Sequence, residues 1–96
     1  MDLKGTTALV TGGADGIGAG IAERLAAERM RVVIADLDEE AGQATAVRIG
    51  GLFVRADVAD EDDIRTAFDA AGQVAVLVNN AGGIEEPCFP VADPAK

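Results

Sequence analysis

The chain has 96 residues, 49% of them hydrophobic and 26% charged, which suits one small soluble domain; a second core is not expected. A formal net charge of -9 with no basic cluster argues against nucleic acid or anionic lipid as a partner, because both would be repelled. The apolar runs are far too short to span a bilayer, no signal peptide is read in MDLKGTT, and Cys88, the one cysteine, permits no intrachain disulfide, so a cytoplasmic setting is expected.

Four short runs rich in β-branched residues, 7–10, 32–35, 52–55 and 74–78, show little polar alternation and are predicted as strands covered on both faces. Amphipathic segments lie between them. The first opens at a glycine turn and sets Ile17, Ile21 and Leu25 four residues apart, which predicts one apolar helix face. The second is predicted to start after Asp38, whose carboxylate can cap it, with Glu39 and Glu40 favourable at the positive helix end. Asp60 reads as the N-cap of a third helix over residues 61–71, in which Ile64 and Phe68 form an apolar pair. Gly50, Gly51 and Gly72 fall where helices should stop.

The order β-α-β-α-β-α-β with short connections predicts an α/β fold whose parallel strands are joined by right-handed crossovers. A domain is expected over residues 1–82. Residues 83–96 contain all 3 prolines and no helical or strand period, and are read as a loop or tail.

After the first strand comes T-G-x-x-x-G-I-G, from Thr11 through Gly12, Asp15, Gly16 and Ile17 to Gly18. A helix N-terminus offers unpaired N–H groups and a positive dipole end, so it stabilises an anion that the backbone can approach closely. In that reading Gly12 permits a sharp exit from the strand, Gly16 contacts a pyrophosphate, and Gly18 lets helix pack closely on strand. The plain alternative is a tight turn with no ligand. A P-loop is excluded, because Ala19 follows Gly18 and no Gly-Lys-Ser or Gly-Lys-Thr is present. The ordinary G-x-G-x-x-G spacing also fails, since Ile21 stands where a third glycine would fall.

Asp36 ends the second strand, where the chain would pass the ribose of a nucleotide seated on the first turn. An acid there accepts hydrogen bonds from both ribose hydroxyls and repels a 2'-phosphate, which favours NAD over NADP. No Lys or Arg stands at Gly13 or at Leu37 to meet a phosphate. The competing role, capping the turn before the second helix, is assigned to Asp38.

Thr11 to Gly18, Asp36, Asp57-Val58 and Asn79-Asn80-Ala81-Gly82 together resemble the short-chain dehydrogenase/reductase family in its classical form. The resemblance runs over residues 3–83 and implies a partial Rossmann-type doubly wound sheet of order 3-2-1-4, with the first two helices on one face and the third on the other. It further implies that the carboxylate of Asp57 and the backbone N–H of Val58 bracket an adenine ring. Asn80 would meet the ribose side of adenosine, and residues 79–82 would tie the fourth strand into the sheet. Asp15, Ile17, Leu37, Ala81 and Gly82 complete the residues expected around the dinucleotide. Outside that resemblance, Asp57 is a strand-ending acid and NNAG a turn.

Members of that family use a tyrosine as general acid/base, a lysine four residues later and a serine that orients the substrate. This chain contains no tyrosine, serine or histidine, and its lysines are Lys4 and Lys96. No catalytic residue is therefore assigned, and the chain is expected to be the N-terminal, adenosine-binding part of an NAD-dependent oxidoreductase. The alternative is a non-catalytic half-domain that binds NAD or associates with a homologue; a methyltransferase-type nucleoside binder would not need the glycine turn together with NNAG. Cys88 reads as an inert thiol, Glu85 and Glu86 as a solvated pair, and the acids at 60–63 as divergent on a helix start, so no metal site is expected. The fourth strand would be a sticky edge through which copies self-associate, with Val76→Lys expected to relieve it.

Overall fold

The computed structural model describes residues 3–80. The elements run β1 (Thr7–Thr11), α1 (Gly16–Ala27), β2 (Arg31–Asp36), α2 (Glu39–Ile49), β3 (Leu52–Arg55), α3 (Glu61–Ala71) and β4 (Val74–Asn79). The strands are parallel throughout and lie in the order β3-β2-β1-β4. This is the expected doubly wound arrangement, and the chain crosses from one side of β1 to the other between β3 and β4.

Two apolar layers hold it together. On one face Ala8, Val10, Val32 and Ile34 pack under Ala22 of α1 and Ala46 of α2, with Val76 and Val78 at the margin. On the other, Leu9, Val33 and Ala35 pack under Ala67 and Ala71 of α3. Small residues dominate the helix side of both layers, so the helices sit close to the sheet.

The expectation that all four strands are covered on both faces holds only for the centre. β1 is buried from end to end and β2 over residues 32–35, whereas β3 and β4 keep intermediate or exposed positions. Both are edges of the sheet, and an edge lacks a neighbour to cover its flanks. The predicted apolar face of α1 also needs correction. Ile17 is 76% exposed, while Gly18, Ala19 and Ala22 are the buried residues of that helix. Leu25 packs against the first apolar layer and Ile21 is half-buried, so the predicted face holds at those two positions and fails at Ile17, where the adjacent small residues take the contact.

Helix ends follow local chemistry. Asp38 accepts from the Ala41 N–H at 3.1 Å, and Asp60 accepts from the Asp62 and Asp63 N–H groups. Gly50 closes α2 in the left-handed region at φ 74°, with the Gly51 N–H reaching back to the Ala46 carbonyl. α1 ends in the same hydrogen-bonded motif without a glycine: Met30 N–H bonds to Leu25 O and Arg29 N–H to Ala26 O, with Arg29 at φ 70°. Among the described residues no helix is long and apolar enough to cross a membrane.

Candidate functional site

The C-terminal ends of the parallel strands converge on a cleft of about 580 Å³, within the usual range for small-molecule sites. Gly12 enters it from the end of β1, Asp15 to Ile17 from the start of α1, and Asp36 and Leu37 from the end of β2. The loop after β3 contributes residues 56–59, including Asp57 and Val58, and Asn80 closes it beyond β4. The cleft lies where the strand order reverses around β1, the position at which open α/β sheets bind ligands. Sequence reasoning singled out each of these residues except Ala56 and Ala59. Ala81 and Gly82, together with Glu85, Glu86, Cys88 and the tail at 83–96, lie outside the described residues.

The glycine turn owes its shape to specific positions. Gly12 and Gly16 have φ of 71° and 61°, a region costly for residues with a Cβ. No heavy atom lies within 4 Å of where a Cβ at Gly16 would point, so that position faces open cleft. Gly18 has a different task from the one expected. A Cβ there would collide with the Gly12 carbonyl oxygen and lie 2.8 Å from Asn80 Nδ2, so its closeness is to the turn itself and to the β4 end rather than to a strand.

α1 is capped differently from its neighbours. α2 and α3 begin with an Asp side chain bound to first-turn amides and carry acids in that turn. At α1 the N-cap Asp15 makes no side-chain cap bond, and the first turn holds no acid. Its leading amides thus retain the polarity that suits an anion.

Asp36 was expected to leave turn-capping to Asp38, but it shares that work. Its Oδ1 accepts from the Asp38 N–H at 2.9 Å and its Oδ2 from the Ala14 N–H at 3.1 Å. Each carboxylate oxygen has more than one lone-pair direction, so both can accept further hydrogen bonds from the cleft side. The Ala14 carbonyl in turn accepts from Thr45 Oγ1 at 2.7 Å.

Asp57 is held from both sides. Its N–H donates to Asp63 Oδ2 at 2.8 Å, and its Oδ1 accepts from the Ala59 N–H at 2.9 Å. Asp63 therefore orients the loop that carries Asp57 and Val58. At the far wall, Thr11 Oγ1 lies 3.1 Å from Asn79 Oδ1 and accepts from the Asn80 N–H at 3.1 Å. Asn80 Nδ2 donates to the Gly12 carbonyl at 3.3 Å, which joins the β4 end to the glycine turn. Sequence reasoning gave Ala14 and Thr45 no role and read Asp63 only as one of the divergent acids at 60–63. Only Asp63 left a signal: an acid in the third helical position after an Asp cap is placed to reach back.

Among the described residues the cleft carries three carboxylates, Asp15, Asp36 and Asp57, and is lined by no Lys or Arg. Across the whole chain, residues 6–95 match the family model described as short chain dehydrogenase. The chain belongs to the short-chain dehydrogenase/reductase family.

Relatives within the family agree. The chain is similar to tropinone reductase-like 1 of Erythroxylum coca, at 41% identity over 96 residues that cover 94% of this chain and 35% of that protein. It is also similar to the sex determination protein tasselseed-2 of Zea mays, at 49% identity over 87 residues covering 83% of this chain and 26% of that one. Among solved structures, a short chain dehydrogenase/reductase family protein superposes with a TM-score of 0.78 at 46% identity, over 85% of this chain and 36% of that chain. A short chain dehydrogenase/reductase from Burkholderia phymatum, solved in complex with NAD, gives a TM-score of 0.77 at 31% identity over 80% of this chain and 31% of that chain. The chain spans about a third of the length of most of these proteins.

Proposed function

We propose that the cleft takes the adenosine and pyrophosphate portions of NAD, and that this chain is the dinucleotide-binding part of a short-chain oxidoreductase. One observation carries the reading: an uncapped helix start, Asp36, Asp57 and Asn80 converge on a single cleft at the strand-order reversal. The donor set fits the group. The α1 amides and Gly16 would meet the pyrophosphate, Asp36 the ribose hydroxyls, and Asp57, Val58 and Asn80 the adenosine end. When bound, the nicotinamide would accept or give a hydride.

NAD is favoured over NADP on charge. A 2'-phosphate beside Asp36 would face a carboxylate, and among the described residues no base lines the cleft to offset it. Arg55 is the register partner of Asp36 across the sheet but does not line the cleft. Ala81 and Gly82 belong to the proposed binding set on the family resemblance alone.

The test is calorimetric titration of the chain with NAD, ADP-ribose and NADP. Tighter binding of the forms without a 2'-phosphate is expected; absence of binding, or equal affinity for all, would overturn the proposal. With no tyrosine in the sequence, the chain on its own is also expected to generate no steady NADH from secondary alcohols, no more than a Gly16→Val control.

A further inference from the structure

Ala14 is a small, buried residue gripped by two polar side chains from distant parts of the chain. Asp36, at the end of β2, accepts from its N–H at 3.1 Å, and Thr45, within α2, donates to its carbonyl at 2.7 Å. The second bond spans 31 positions of sequence and is buried. Immediately after Ala14 the chain passes through Asp15 and Gly16 into α1. The peptide groups that precede the uncapped helix start are thus fixed from both sides.

Thr45 is not explained by its own helix. Threonine is a weak helix former, and a threonine hydroxyl within a helix ordinarily bonds to the carbonyl four residues back. Thr66 on α3 does this, reaching the Asp62 carbonyl at 3.0 Å. Thr45, 5% exposed, instead turns to the glycine loop. A valine would fill the same volume without a hydroxyl to desolvate, so the polar atom is accounted for by its partner at Ala14.

We propose, on the dinucleotide reading of the cleft, that Thr45 is a positioning residue for that site. Its hydroxyl and the Asp36 carboxylate clamp the two peptide groups that flank Ala14 and so hold the Asp15–Gly16 amides in the orientation that meets a pyrophosphate. Asp36 has two tasks in this arrangement, facing the ribose and bracing the turn. Thr45 has one, and touches no ligand. Removing its hydroxyl should loosen the pyrophosphate end of the site and leave the adenine end alone, because Asp57 and Val58 are braced separately by Asp63.

The experiment uses the full 96-residue chain, isotope-labelled, as wild type, Thr45→Val and Thr45→Ser. Dissociation constants are measured for ADP-ribose and for adenosine, and amide exchange is followed over residues 13–18. Thr45→Val is expected to weaken ADP-ribose about fivefold, the scale of one lost hydrogen bond. Adenosine should change less than about twofold, and exchange at 14–18 should accelerate. Thr45→Ser, which restores the hydroxyl, should return all three readouts toward wild type. An unchanged ratio of the two affinities in Thr45→Val, or failure of serine to restore it, overturns the positioning role. Absence of ADP-ribose binding by wild type overturns the dinucleotide reading instead; the exchange data then decide the clamp by themselves, and unaltered exchange at 14–18 in Thr45→Val overturns it. If the valine variant does not fold, Thr45→Ala takes the same readouts.

Discussion

Gly18 is pressed against the main-chain carbonyl of Gly12, and Asn80 Nδ2, which donates to that carbonyl, lies 2.8 Å from where a Cβ would be. Neither neighbour can withdraw easily: one is backbone, and the other is the side chain that ties β4 to the turn. Gly20, two residues along the same helix, has no heavy atom within 4 Å of its Cβ position. Gly18→Ala is therefore expected to destabilise the fold by about 1–3 kcal/mol, as overpacking does. Gly20→Ala should stabilise it by about 0.5–1 kcal/mol through backbone entropy. Thermal melts followed by far-UV circular dichroism check both, and a Gly18→Ala variant as stable as wild type would remove Gly18 from this role.

Asp36 is expected to show a divided phenotype. Asp36→Ala removes the acceptor for both the Ala14 and Asp38 N–H groups and should cost about 1–2 kcal/mol of stability. Asp36→Asn retains one acceptor oxygen and should cost less, yet it removes the charge that would oppose a 2'-phosphate. The preference for NAD over NADP should then shrink by roughly an order of magnitude, or about 1.4 kcal/mol. Titration of both variants with both nucleotides tests this, and an undiminished preference in Asp36→Asn would remove the charge argument.

Features that depend on one stretch of chain were readable from the sequence. The Asp38 and Asp60 caps, the Gly50 and Gly72 stops and the glycine turn are each set by a few adjacent residues, and strand order followed from the resemblance. What was not readable depends on who faces whom. The exposure of Ile17 follows from Gly18, Ala19 and Ala22 occupying the contact with the sheet, a choice between neighbouring positions that spacing cannot make. The half-cover of β3 and β4 follows from their place at the edges. The Thr45 bond to Ala14 joins residues whose proximity exists only after α2 has packed beside the turn.

Arg29 occupies a position that glycine usually fills. It sits at φ 70° at the end of α1, in the same motif that Gly50 serves at the end of α2. A residue with a Cβ pays about 1 kcal/mol for that conformation. Arg29→Gly keeps the backbone bonds from Met30 and Gly5, and it should raise stability by up to about 1 kcal/mol, since glycine's greater unfolded-state freedom offsets part of the gain. A lowered melting temperature would show instead that the arginine side chain contributes more than its backbone costs.

The edge strand β4 calls for a different substitution from the one its sequence suggested. Val76 is half-buried and packs against the Ala8–Val10 layer beneath α1, so a lysine there would disturb the core. Leu77 is 51% exposed. It pairs in register with Leu9 of the α3-side layer, and among the described residues β4 joins that layer through Val74, with Leu77 left outside it. Leu77→Lys is thus expected to leave the melting temperature nearly unchanged and to reduce both dye binding and any self-association through this edge. Val76→Lys should lower the melting temperature by several degrees, the consequence of about 1–2 kcal/mol in a domain of this size. Sedimentation velocity at rising concentration, run on wild type and both variants, separates the two effects: association that persists in Leu77→Lys would move the contact surface away from β4.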